Sequence, residues 1–191
     1  MAGIKSLGAS TVGIVLVLGL VGCVPQSQYE QQVQKTDALQ AKYDQLNQSM
    51  QAEINAKELH IERLQNAIRV TVNDDLLFPS GDWQMPVQAQ QTMGKMIPIL
   101  APMQQTKIMV NGYTDNVPIG PGLVRQGITS NLILSQKRAE NVAQFMIAQG
   151  VNPSLVSTQG FGDADPIASN DTADGRAQNR RVELTLAGSG T

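Results

Sequence analysis

The sequence predicts an α/β fold, a mixed sheet with helices on one face, preceded by a long amphipathic helix. Three observations predict it. Residues 26–69 are rich in Gln, Glu, Lys, Ala and Leu, with no glycine and no proline after Pro25, which is helix composition. From residue 70 onward, strand-like and helix-like segments alternate, separated by Gly- and Pro-containing turns. The chain then closes on Arg181-Val-Glu-Leu-Thr-Leu186, whose strict apolar–polar alternation is the period of a half-buried strand.

The elements follow in order. In the leading helix, apolar residues recur mostly three or four apart at Tyr43, Leu46, Met50, Ile54, Ile61, Leu64 and Ile68, with a less regular continuation at Tyr29, Val33 and Leu39. A weak coiled coil and a single amphipathic helix both fit, so self-association or a protein partner through this stripe stays open, as does packing back on the domain. About 44 helical residues would reach roughly 65 Å as a stalk. Val70–Phe78 reads as extended chain and Pro79-Ser80-Gly81-Asp82 as a turn. Pro86–Leu100 reads as a helix that Pro98 should kink or end early. Lys107–Tyr113 is a strand, and residues 116–130 form a long loop. Asn131–Gln149 is a strong helix capped by Ser130 and closed by Gly150. Val156–Gly160 is the third strand and Arg181–Leu186 the last. The order strand–helix–strand–helix–strand–strand over residues 70–187 is enough chain for its own core, with 188–191 as a flexible tail.

Composition narrows the function. The net charge of -2 gives no global pull toward nucleic acid, and aromatics at 4% are too few for a base-stacking surface. The chain has one cysteine, Cys23, and one histidine, His60. An intramolecular disulfide is therefore impossible and a Cys/His zinc site is not expected; no cofactor is indicated. His60 reads as a solvated helix residue.

The N-terminus carries its own signal. Lys5 is the only charge before Tyr29-Glu30, and Leu7–Val24 is an apolar run of roughly 18 residues, short for a bilayer span and right for a secretory leader. Its end, Leu20-Val21-Gly22-Cys23, resembles a bacterial lipobox. That resemblance implies a signal peptide over 1–22 and a Cys23 carrying a diacyl thioether and an N-acyl group, hence a membrane anchor. An uncleaved transmembrane helix is the alternative. Val24, where an aspartate would retain enteric-type lipoproteins at the inner membrane, implies the outer membrane, facing the periplasm.

The chemistry-bearing motifs are Asn111-Gly-Tyr-Thr-Asp115, Asn131-x-x-Leu134-Ser-x-x-Arg138-Ala139 and Asn179-Arg180-Arg181. They put a carboxylate at a strand end, a guanidinium near a helix start and further cations before the last strand. Such a set can hold a small zwitterion, the acid taking an ammonium and the arginine a carboxylate. A plain salt bridge is the alternative use of the same residues.

In this order the motifs resemble the OmpA-like peptidoglycan-binding domain, shared by OmpA C-terminal domains, Pal lipoproteins and the periplasmic part of MotB. The resemblance implies a βαβαββ sandwich that binds the diaminopimelate of peptidoglycan stem peptides. Asp115 inherits the ammonium-binding role and Arg138 the carboxylate-binding one. Asn131 and Leu134 shape the pocket, Arg180 adds a second cationic contact, and Phe78, in Leu77-Phe78-Pro79-Ser80-Gly81, lines it. Arg176 and Arg181 are structural. Tyr113 departs from the histidine usual at its position. The flanks Asp115-Asn-Val-Pro-Ile119 and Ser130-Asn131 are closer to MotB than to Pal, yet residues 6–29 hold no acid, which excludes proton conduction. The expected function is tethering of the outer membrane to the cell wall. The rival is an interaction protein acting through its stalk; a wall-degrading enzyme lacks a metal cluster or a free nucleophilic cysteine. Asp115→Ala and Arg138→Ala are each expected to abolish wall binding while leaving the fold intact.

Overall fold

In a computed structural model, residues 26–187 are described; the expected signal peptide, Cys23 and the tail at 188–191 lie outside them. A first helix, α1 (Gln26–Ser49), runs through Met50 into a short α2 (Gln51–Asn55). There the expected stalk helix stops. Lys57 takes a left-handed backbone conformation with φ 61°, and residues 59–73 form an antiparallel hairpin of β1 (Leu59–Arg63) and β2 (Ala67–Asn73), joined where Leu64 N–H bonds Ala67 C=O at 2.8 Å. Residues 56–69 satisfy two periods at once. Ile61, Leu64 and Ile68 fit a helix stripe, but Leu59, Ile61, Ile68, Val70 and Val72 also alternate, and all five are buried on one face of the sheet. A β-edge paired with β2 hides more apolar surface than an isolated amphipathic helix, so the period of two wins. His60 is an exposed strand residue, not a helical one.

Beyond the hairpin come α3 (Asp74–Leu77), α4 (Val87–Gly94), α5 (Ile97–Leu100), β3 (Lys107–Tyr113), α6 (Pro121–Arg125), α7 (Asn131–Ala148), β4 (Val156–Gly160), α8 (Ala173–Asn179) and β5 (Arg181–Ala187). Pro98 ends the long expected helix as its ring requires: α4 and α5 are separate, with Pro98 inside the first turn of α5. The segment expected to be extended to Phe78 instead turns helical at Asp74, and the loop after Asp115 contains the short α6.

The five strands lie in the order β1-β2-β5-β3-β4, all neighbours antiparallel except β3 and β4. This is the expected mixed sheet. Its inner face packs against the helices, and the core runs without a break from Val110, Leu184 and Ile68 to Val142 and Met146 of α7, Met93 of α4 and Leu100 of α5. Leu46 of α1 and Met50, between α1 and α2, are fully buried in the same core, with Leu39, Tyr43 and Ile54 packed against it. Much of the stripe offered for self-association is thus spent on the chain's own domain; Tyr29 and Val33 remain exposed. The Arg63 guanidinium bonding Gln40 and the Lys95–Glu53 ion pair at 2.5 Å hold the same helix segment down.

Candidate functional site

Helix α7 positions the site, and two glycines position α7. Gly112 and Gly160 are register partners across the parallel β3–β4 pair. A Cβ on Gly112 would stand 2.2 Å from the Ser135 carbonyl oxygen, and one on Gly160 2.5 Å from the Gln136 nitrogen. The pair makes a notch into which the first turns of α7 sink. Ser135 Oγ, fully buried, accepts from Gly162 N–H at 2.8 Å, and Gln136 Oε1 accepts from Gly160 N–H at 2.6 Å. Ser130 caps the helix as expected, its side chain accepting from Ile133 N–H at 3.2 Å. With the helix start fixed on the strand ends, Arg138 comes to lie beside α3.

Arg138 is buried at 5% exposure. Its guanidinium pairs with the Asp74 carboxylate, its Nε donates to the Asp82 carbonyl at 2.9 Å, and it lies over the Phe78 ring at 5.2 Å. Asp74 is 2% exposed, and its Oδ1 has no hydrogen-bond partner. Desolvation by burial pushes the Asp74 carboxyl up to about 6, against the pull of Arg138 and with a further push from Asp75. Ionised Asp74 is therefore under strain even with its partner in place.

A second, outer set stands next to the first. Asp115, at the end of β3, accepts from Val117 N–H through Oδ1 at 3.0 Å and pairs with Arg180 through Oδ2 at 2.9 Å. Arg180, half-buried, reaches the exposed Asp75 at 3.2 Å with its other nitrogen. Burial would lower the Arg180 pKa, but its bonds to Asp115 and Asp75 outweigh that and raise it. Asn131 donates to the carbonyls of Asp115 and Val117 at 3.2 and 3.1 Å, clamping the loop to the start of α7. Three carboxylates and two guanidiniums thus converge from α3, β3, α7 and the end of α8. Among the described residues, no group of His, Cys, Asp or Glu is placed to hold a metal ion.

The structure brings together Asp115, Asn131 and Arg180, and places Arg138 over Phe78 as a layer beneath, held by Asp74. Asp115 and Arg138 do not bond each other; each is matched to a different charge. Leu134, expected in the pocket, is buried in a separate apolar cluster with Leu123 and Ile128, packed by Trp83 and Ile119. It fastens the loop to α7 rather than joining the charges. Asp74 and Asp75 are the residues the sequence reading missed. Two successive acids just ahead of Leu77-Phe78-Pro79 were the available signal. Arg181 is structural, stacked 3.7 Å over Tyr113 and paired with Glu183 at 2.7 Å, and Tyr113 itself stacks on Phe161. Arg176 is structural too, donating to the Asn170 carbonyl.

The chain as a whole has known relatives. The chain is similar to the probable lipoprotein YiaD of Escherichia coli, 38% identical over 66% of this chain and 54% of YiaD. It is similar to the peptidoglycan-binding protein ArfA of Mycobacterium tuberculosis, 33% identical over 64% of this chain and 35% of ArfA. It thus spans about half of the one and a third of the other. Among solved structures, the cell wall anchor of the T6SS from Pseudomonas aeruginosa matches with a TM-score of 0.68 at 30% identity, over 75% of this chain and 97% of that one. A putative MotB-like protein from Desulfovibrio vulgaris, at 21% identity and a TM-score of 0.70 over 82% of this chain and 97% of that one, shares the fold. The model of the OmpA family matches residues 77–180, from the end of α3 through Arg180, and the chain belongs to that family.

Proposed function

We propose that this protein binds peptidoglycan without cleaving it and tethers an envelope membrane to the cell wall. The observation that carries the reading is the Asp115–Arg180 pair at the strand end, with Arg138 seated beneath on Phe78. Asp115 offers a carboxylate to the free ammonium of a stem-peptide diaminopimelate. Arg180 and Arg138 offer N–H groups to its carboxyl end, since each guanidinium carries five donors and only some are engaged. Asn131 sets the loop that carries Asp115. The likeness to ArfA and to the T6SS cell wall anchor supports the assignment, and that to YiaD supports an envelope lipoprotein. Cys23 is the residue proposed to carry the lipid, on the periplasmic face of the outer membrane.

One small zwitterion makes few contacts, so each site binds weakly. Many anchored copies facing a polymer of repeated stem peptides supply avidity. The full chain in detergent is expected to sediment with purified sacculi and to be released by free meso-diaminopimelate. Asp115→Asn keeps the acceptor for Val117 N–H and removes the charge, so it should abolish sedimentation while thermal unfolding stays near that of the parent. Retained sedimentation of the variant would sink the site assignment.

A further inference from the structure

The site has more acid than base. Asp74, Asp75 and Asp115 are three carboxylates, against the two guanidiniums of Arg138 and Arg180. Neighbouring charges do not correct the balance. Lys137 is paired with Glu140 at 3.5 Å, and the Asp82 carboxylate is held in its own turn by Trp83 and Gln84 N–H groups. Both guanidiniums are neutralised by the chain's own carboxylates before a ligand arrives. A ligand carboxylate must therefore enter a field of net charge -1, at guanidiniums whose charge is already matched. A carboxamide brings no charge into that field: its carbonyl accepts from the same unengaged guanidinium N–H groups, and its NH₂ donates to the exposed Asp75 carboxylate.

We infer, on the peptidoglycan-binding reading above, that this site takes diaminopimelate amidated at its ε-carboxyl in preference to the free acid. Asp75 sets that preference. It is exposed, with a side chain 66% accessible, and it holds Arg180 at 3.2 Å, so its charge faces a ligand carboxylate that approaches Arg180. The test is a titration of the full chain in detergent micelles at pH 7.5. The probes are two soluble disaccharide-tripeptides that differ only in a free or amidated ε-carboxyl. The amidated form should bind on the order of threefold to fivefold tighter, the range of a single partly exposed charge interaction. Asp75→Asn, which removes the surplus charge without touching the core, should tighten the free acid and close most of the gap. Equal binding of the two probes, or tighter binding of the free acid, overturns the preference and leaves peptidoglycan binding standing. An Asp75→Asn effect equal on both probes overturns the role of Asp75. Binding of neither probe overturns the preference and the peptidoglycan reading together.

Discussion

Arg138→Ala takes away the partner of a carboxylate that has almost no access to water. The side chains of Asp74 and Arg138 are 2% and 6% exposed. The substitution also removes the Nε bond to Asp82 and the contact over Phe78. Breaking one side of a buried ion pair costs about 3–5 kcal/mol, because the remaining charge is left uncompensated. At roughly 2–4 °C per kcal/mol for a chain of this size, Tm should fall by about 6–20 °C at pH 7.5. The pH dependence follows from Asp74, whose folded value is raised from 3.8 to about 6. A carboxyl raised in the folded state favours folding fully below 3.8, and that contribution is lost as pH rises through about 6. Without the pull of Arg138 the folded value rises further, so the loss continues to higher pH. The Arg138→Ala deficit should therefore be largest near neutrality and shrink toward pH 5, where Asp74 is protonated in the variant. Asp74→Asn/Arg138→Ala should recover much of the loss at pH 7.5, since neither position then buries an uncompensated charge. Thermal denaturation of the parent and these two variants at pH 5 and 7.5 measures this. An Arg138→Ala Tm equal to the parent, or a deficit of the same size at both pH values, would refute the buried-pair argument. The expectation from sequence that Arg138→Ala leaves the fold intact gives way to this one, and loss of wall binding in that variant alone would not identify a ligand contact.

Two further predictions concern how the site is built. Leu46→Ala and Met50→Ala, both fully buried, should each cost about 2–5 kcal/mol, whereas Tyr29→Ala and Val33→Ala should stay within roughly 0.5 kcal/mol; denaturant unfolding of the full chain separates the two groups, and equal effects would mean that α1 is not part of the core. Gly112→Ala places a methyl 2.2 Å from a backbone oxygen, so α7 must lift from the sheet; a cost of about 1–3 kcal/mol is expected for such overpacking, and unchanged stability would show that the helix is not seated in the glycine notch.

The legible parts of the sequence were those with one period and a clear stop. Lys107–Tyr113 and Val156–Gly160 are strands with the expected bounds, and α7 begins at Asn131 behind its Ser130 cap. Residues 59–69 were not legible, because their apolar positions satisfy a helix and a strand together and only pairing with β2 decides between them. The positions of Asp115, Asn131 and Arg180 at one place were readable from motif order. Their partners were not. Asp75 and Arg180 stand 105 residues apart, and no local pattern assigns Asp74 to Arg138 rather than Arg138 to Asp115. That assignment depends on α3, a single helical turn, bringing Asp74 under α7.

The buried pair is a poor device for stability. Burial raises the Asp74 pKa against the pull of Arg138, and Oδ1 has no partner; apolar residues of similar volume in place of such a pair are often neutral or stabilising. What the pair does accomplish is positional. A lone arginine on the second turn of α7 would extend into solvent and sample many rotamers. Asp74, the Asp82 carbonyl and the Phe78 ring hold this one flat from three sides, in a nearly dry setting where a hydrogen bond to a guanidinium is worth more than in water. A ligand that meets Arg138 thus encounters donors already oriented, and its own binding energy is not consumed in ordering them. The outer pair follows the opposite logic. Arg180 shares itself between Asp115 and the exposed Asp75, in contact with water, where exchanging one partner for another costs little. Rigid donors beneath and an exchangeable outer pair suit the proposed role, in which one repeating unit of a polymer is caught and released many times.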